Sequence, residues 1–96
     1  MHKSIYKYQL KVTDTQKIEL PVGAEILTVQ IQNETPCLWA LVDPNGIEKE
    51  TRIIEVFGTG HPISYDMGMS RKYVSSFQLR GSQLVFHVFE YTGYYL

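Results

Sequence analysis

Ninety-six residues with 44% hydrophobic content suffice for one globular domain and give no reason to expect disorder. Nine basic residues against ten acidic ones leave a formal net charge of −1, which excludes the basic footprint of a duplex nucleic-acid binder but not a local cluster that holds a small anion. Cys37 is the only cysteine, so an internally bridged secreted fold is excluded as well.

The elements follow a period of two. In "YKYQLKV", Tyr6, Tyr8, Leu10 and Val12 share one face and Lys7, Gln9 and Lys11 the other, as in a half-buried strand. "KIELPV" repeats the pattern with Ile18, Leu20 and Val22. After a "PVGAE" corner, "EILTVQIQN" sets Leu27, Val29 and Ile31 against Thr28, Gln30 and Gln32. "PCLWALV" is apolar on both faces, the pattern of a central strand covered on each side. It ends in "DPNG", where Asp43 caps a turn, Pro44 presets φ and Gly46 takes the fourth position. "TRIIEVF" is expected to return as its hairpin partner. From Phe57 to Lys72 no strand alternation is usable. "KYVSSFQL" and "QLVFHVFEY", joined by "RGS", read as a further hairpin.

No window of 11 residues carries a helical stripe. The expectation is a single all-β domain over residues 1–96, with about seven mostly antiparallel strands in a sandwich or small barrel. No run approaches the roughly 18 apolar residues of a membrane span, and the N-terminal alternation is not that of a signal peptide. A soluble, cytoplasmic chain is expected.

Two strands carry more apolar surface than a small core requires. Leu84, Phe86 and Val88 oppose Val85, His87 and Phe89, while Cys37, Trp39 and Leu41 oppose Leu38, Ala40 and Val42. A homo-oligomer would cover the surplus, with Trp39, His87, Phe89 and Tyr91 at the interface. The alternative is that the sheets curl and bury both faces within one chain. The tail "EYTGYYL", with Tyr91, Tyr94 and Tyr95, fits an interface or an edge strand equally.

The candidate binding site is "GTGHP". Gly58 and Gly60 can adopt positive φ and let backbone N–H groups converge on an anion, with Thr59 and His61 adding polar contacts. Arg71 or Lys72 would supply countercharge, with Arg52 and Arg80 as further cations, and Tyr65 and Tyr73 could stack on a base. The plainer reading is a glycine pair that lets the chain turn. Catalysis is disfavoured: His2, His61 and His87 are scattered, Cys37 lies in an apolar strand, and no spacing suits a zinc site. His61 with Asp66 is the residual acid–base option. No metal and no cofactor are expected.

The blocks "IYKYQLKVTDTQKIELPVGAEILTVQIQNETPCLWALVDP", "FGTGHPI" and "FQLRGSQLVFHVFE" resemble a family of small proteins encoded mostly by bacteriophages and prophages, to which no reaction is attached. The likeness runs from about Ile5 to Glu90. It departs at "YDMGMSRKY", which holds Tyr65, Arg71, Lys72 and Tyr73, and at the "YTGYYL" extension. The resemblance implies stoichiometric binding in an infected host cell. It fits a non-enzymatic homo-oligomer that sequesters a small phosphorylated, nucleotide-like defence signal or, alternatively, a module that binds a host protein.

Overall fold

The computed structural model describes residues 2–65, 69–81 and 83–94. As the alternation implies, the described residues are all-β, with seven strands among them: β1 Ser4–Gln9, β2 Thr15–Pro21, β3 Glu25–Gln32, β4 Thr35–Val42, β5 Lys49–Gly58, β6 Met69–Leu79 and β7 Leu84–Tyr94. They form two antiparallel sheets, one ordered β1-β4-β3 and the other β2-β5-β7-β6, and neither closes into a barrel. Among the described residues no helix is long and apolar enough to cross a membrane.

Alternate residues of both sheets point into one core. Leu38, Ala40 and Val42 from β4 meet Leu20, Val29, Ile54, Val56, Phe77 and Val88 from the other strands. Full burial of each large aliphatic side chain contributes about 1.5–3 kcal/mol. β4 is buried hardest because β1 and β3 flank it on both edges, and Cys37 is buried even on its other face.

That same crowding overturns one expectation. Asp43–Gly46 does form the turn read from "DPNG", with Gly46 N donating to Asp43 O at 3.0 Å and Asn45 N to Asp43 Oδ1 at 3.0 Å. However, β5 is not the hairpin partner of β4. Both edges of β4 are occupied, so the chain crosses to the second sheet, where β5 pairs with β2 and β7. Val22 N, donating to Glu48 O at 3.1 Å, fastens the crossover to the end of β2.

The hairpin that β4 does make, with β3, turns on Asn33 and Glu34, at φ 52° and 62°. Two consecutive left-handed residues define a type I′ turn, which asparagine tolerates and glutamate does not. Glu34→Gly is therefore expected to stabilise the chain by about 0.5–1 kcal/mol, a rise of a few degrees in Tm by thermal unfolding.

The long strand-free stretch also shrinks. β6 begins at Met69, so only residues 59–68 separate it from β5. Its alternation is hidden in the sequence by register shifts between Ser70 and Arg71 and between Tyr73 and Ser75. The second shift places Ser75 against β3, the strand of the other sheet that lies beside β6. There the Ser75 hydroxyl accepts from Val29 N at 2.9 Å and donates to Val29 O at 2.8 Å. One side chain thus stands in for a strand partner at the seam between the sheets.

Candidate functional site

Strand β5 runs out at Gly58, and the next residues close a tight turn. His61 N donates to Gly58 O at 3.1 Å, and Gly60 sits at φ 86°, a conformation glycine adopts without a Cβ penalty. The His61 ring folds back onto Gly58, where a Cβ would lie 2.8 Å from a ring carbon. Thr59 N donates to Val85 O at 3.2 Å, and the Thr59 hydroxyl bonds His87 Nε2 at 2.8 Å. The turn is therefore stitched to β7. Two of the amides expected to converge on an anion, those of Thr59 and His61, are spent on the chain's own carbonyls.

The remaining members of the expected ligand set lie elsewhere. Arg71 stands on the outer face of the four-stranded sheet, where its side chain is only 5% exposed. Nε donates to Glu55 Oε1 at 2.6 Å, Nη2 to Glu55 Oε2 at 3.3 Å, and Nη1 to Ser64 O at 2.7 Å. The rings of Tyr65, Phe57 and Tyr91 surround the guanidinium at 4.9, 5.7 and 5.8 Å. Hydrogen bonding to Glu55 raises the Arg71 pKa above its ordinary value against the opposing effect of burial. Its charge is answered internally and is not available as countercharge for a guest.

Lys72 points to the opposite face of β6, across from Glu90, and lines a cavity of about 400 Å³ with Ala24–Leu27, Arg52 and Val74. Gly58, Thr59, Gly60 and His61 thus form one corner, Arg71 a second location and Lys72 a third. The structure does not bring the six together. The His61–Asp66 option falls outside the described residues, as does Tyr95.

The expected interface residues also divide. His87, Phe89 and Tyr91 share the outer face of the four-stranded sheet, whereas Trp39 stands on the three-stranded sheet between Lys7 and Thr28. Phe89 meets Phe57 edge-to-face at 5.9 Å and Tyr73 at 5.2 Å, so rings from β5, β6 and β7 interlock. Tyr73 is 52% exposed.

Sequence reasoning missed three arrangements. Glu55 and Phe57 complete the surroundings of Arg71; Thr59 reaches His87; and Arg52 binds Glu90 in the interior. Arg52 Nε and Nη2 both donate to the Glu90 carboxylate, the latter at 3.0 Å, while Nη1 donates to Ala24 O at 2.9 Å. Glu50 accepts from Gly23 N at 2.8 Å beside them. The available signal was that Arg52 and Glu90 interrupt the inward, apolar rows of β5 and β7.

Beside the GTGHP turn a shallow cleft of about 300 Å³ is lined by Gly58, Thr59, His61 and residues 83–86. Among the described residues, no group of three or more His, Cys, Asp and Glu side chains is placed to hold a metal ion.

A model of the family described as "Domain of unknown function (DUF7352)" matches residues 1–94, and the chain belongs to that family. No curated protein and no solved structure matches it.

Proposed function

We propose that this member of the DUF7352 family acts by binding rather than by catalysis, and that it binds another protein through the outer face of its four-stranded sheet. The observation that supports this reading is the composition of that face. Phe57, Tyr73, Phe89 and Tyr91 lie across three adjacent strands, and the cation set among them, Arg71, is paired with Glu55. Aromatic residues and arginine are the types enriched at contact surfaces, and a charge already compensated need not be stripped of water on docking. The partner that fits carries an apolar patch without concentrated charge. In the bacteriophage setting implied by the resemblance, that partner is a host protein in the bacterial cytoplasm.

Cross-linked capture from bacterial lysate, followed by binding measurements with the captured protein, tests this. Tyr73→Glu is expected to weaken binding about tenfold or more, because a charge would then enter the contact. Binding should change little between about 50 and about 500 mM salt, since little net charge is neutralised. Retention by Tyr73→Glu, or steep salt dependence, would sink the reading. Dissociation of a self-assembly by the same substitution would instead identify a second copy of the chain as the occupant.

A second reading, in which a non-enzymatic homo-oligomer sequesters a small nucleotide-like ligand, is favoured by the cleft beside the GTGHP turn. Its volume of about 300 Å³ reaches the lower end of small-molecule sites. Thr59, His61 and Gln83, which line the cleft, would make the polar contacts. Cyclic dinucleotides, cyclic trinucleotides and ADP-ribose derivatives should then raise the melting temperature. No shift with any of them at millimolar concentration ends that reading.

A further inference from the structure

The two sheets end in two outer edge strands, β1 and β2, and these are not equally protected. Along β2 the devices that discourage pairing are present. Pro21 lacks an N–H, Lys17 projects as a charge, and the Gln16 amide reaches back to the backbone of Lys11 with bonds of 2.7 and 3.1 Å. Strand β1 has no such guard. Ile5 is 60% exposed and Tyr6 44% exposed, on opposite faces of the same six-residue strand. Its one lysine, the usual guard of an edge, is drawn away from the edge, because Lys7 Nζ donates to Gln32 Oε1 on β3 at 2.7 Å.

The hydrogen-bond register of β1 defines what its free edge offers. Leu10 N donates to Pro36 O at 2.9 Å, continuing the ladder in which Gln9 faces Cys37. Leu10 and, by alternation, Tyr8, Tyr6 and Ser4 therefore direct their backbone groups toward β4. Ile5, Lys7 and Gln9 direct theirs outward.

We propose that β1 pairs antiparallel with β1 of a second copy of this chain, across a two-fold axis at Tyr6, to make a continuous six-stranded sheet. In this register Ile5 of each copy lies opposite Lys7 of the other, and both pairs use outward-facing N–H and C=O groups, which gives four inter-chain backbone hydrogen bonds. Tyr6 meets its own equivalent at a non-hydrogen-bonded position, where side chains approach most closely. Sliding by two residues in one direction sets Lys7 against Lys7, and in the other Lys3 against Lys7, so like charges oppose both slips. A slip of one residue would pair outward-facing groups with inward-facing ones. One register survives. The interface is separate from the aromatic face on β5, β6 and β7, so either can fail without the other.

Sedimentation equilibrium of the full chain, with two substitutions in β1, tests the proposal. The chain should be a dimer, or an even-numbered assembly, at micromolar concentrations. Lys7→Pro removes an outward N–H but no bond to β4, and is expected to weaken the dimer about tenfold or more while the monomer stays folded. Tyr6→Cys should give a covalent dimer on mild oxidation, because opposed Cα atoms about 4.5 Å apart suit a disulfide, whereas Lys7→Cys should not. Wild-type chain supplies the control, since Cys37 is buried. A single-copy particle, cross-linking of Lys7→Cys as readily as Tyr6→Cys, or an assembly indifferent to Lys7→Pro would each overturn it. Loss of assembly on Tyr73→Glu but not on Lys7→Pro would place self-association on the aromatic face instead.

Discussion

Replacing Arg52 with methionine is expected to destabilise the chain by about 3–5 kcal/mol, the cost of leaving one member of a buried ion pair without its partner. The position explains the size. Glu90 is buried on the inner side of β7, opposite Ile54, and accepts two bonds from Arg52. Arg52 also supplies a donor to Ala24 O, at the entry to β3, so the guanidinium joins β5 and β7 to the other sheet. Hydrogen bonding to Glu90 raises the Arg52 pKa above its ordinary value, against the lowering effect of burial, which keeps the cation charged wherever the fold is studied. Methionine fills similar space but leaves the Glu90 carboxylate without the guanidinium fork that engages both its oxygens. The double variant Arg52→Met with Glu90→Leu should recover most of the stability, since a packed apolar pair often equals a buried ionic one. Urea unfolding of the single and double variants checks both points. A double variant weaker than the single would mean that the pair is needed to align the sheets.

These dependencies mark where sequence reading succeeds and where it stops. The strands β2, β3 and β4 and the Asp43–Gly46 turn are legible because each is encoded within a few consecutive residues: alternation of Ile18 with Lys17 and Glu19, or proline and glycine in fixed turn positions. The β6–β7 hairpin is legible for the same reason. The destination of β5 is not, because "TRIIEVF" looks the same whether it pairs with β4 or with β2 and β7. Only the prior occupation of both β4 edges decides it. The start of β6 is obscured by its register shifts, which break the period on which strand reading depends. At the site, the sharp GTGHP turn is visible as punctuation, but the fate of its amides is not. Thr59 is bound to residues 85 and 87, and that proximity exists only after β5 and β7 have paired. Arg71 was legible as a cation and misread as a free one, because Glu55 lies 16 positions away in sequence and two strands away in the sheet.

Arg71→Ala is expected to cost about 2–4 kcal/mol, because its side chain, though on the outer face of the sheet, is more sheltered from water than that of Arg52 (5% against 18% exposed) and Glu55 would lose its counter-ion. Three contributions disappear together. Glu55 loses its bidentate partner, the rings of Phe57, Tyr65 and Tyr91 lose the cation they surround, and Ser64 O loses the donor that holds residues 64–65 against β6. Arg71→Lys should recover only part of the loss. An ammonium offers no planar fork to a carboxylate and cannot stack among several rings in the same way. Glu55→Gln separates charge from shape, since the amide keeps the size of the carboxylate but leaves Arg71 uncompensated. Urea unfolding gives the energies, and amide hydrogen exchange at residues 63–65 shows whether Arg71 secures that segment. Faster exchange there in Arg71→Ala, with β4 amides still protected to the limit of the variant's reduced global stability, would separate local release from global unfolding. If exchange at residues 63–65 is unchanged, the Ser64 contact carries no restraint and the cost belongs to the ion pair and its rings. Partner binding gives the functional counterpart. The proposed contact face needs Arg71 neutral in effect and its rings aligned, so a variant that remains folded should still bind more weakly. Undiminished binding by folded Arg71→Ala would move the recognition surface off this sheet.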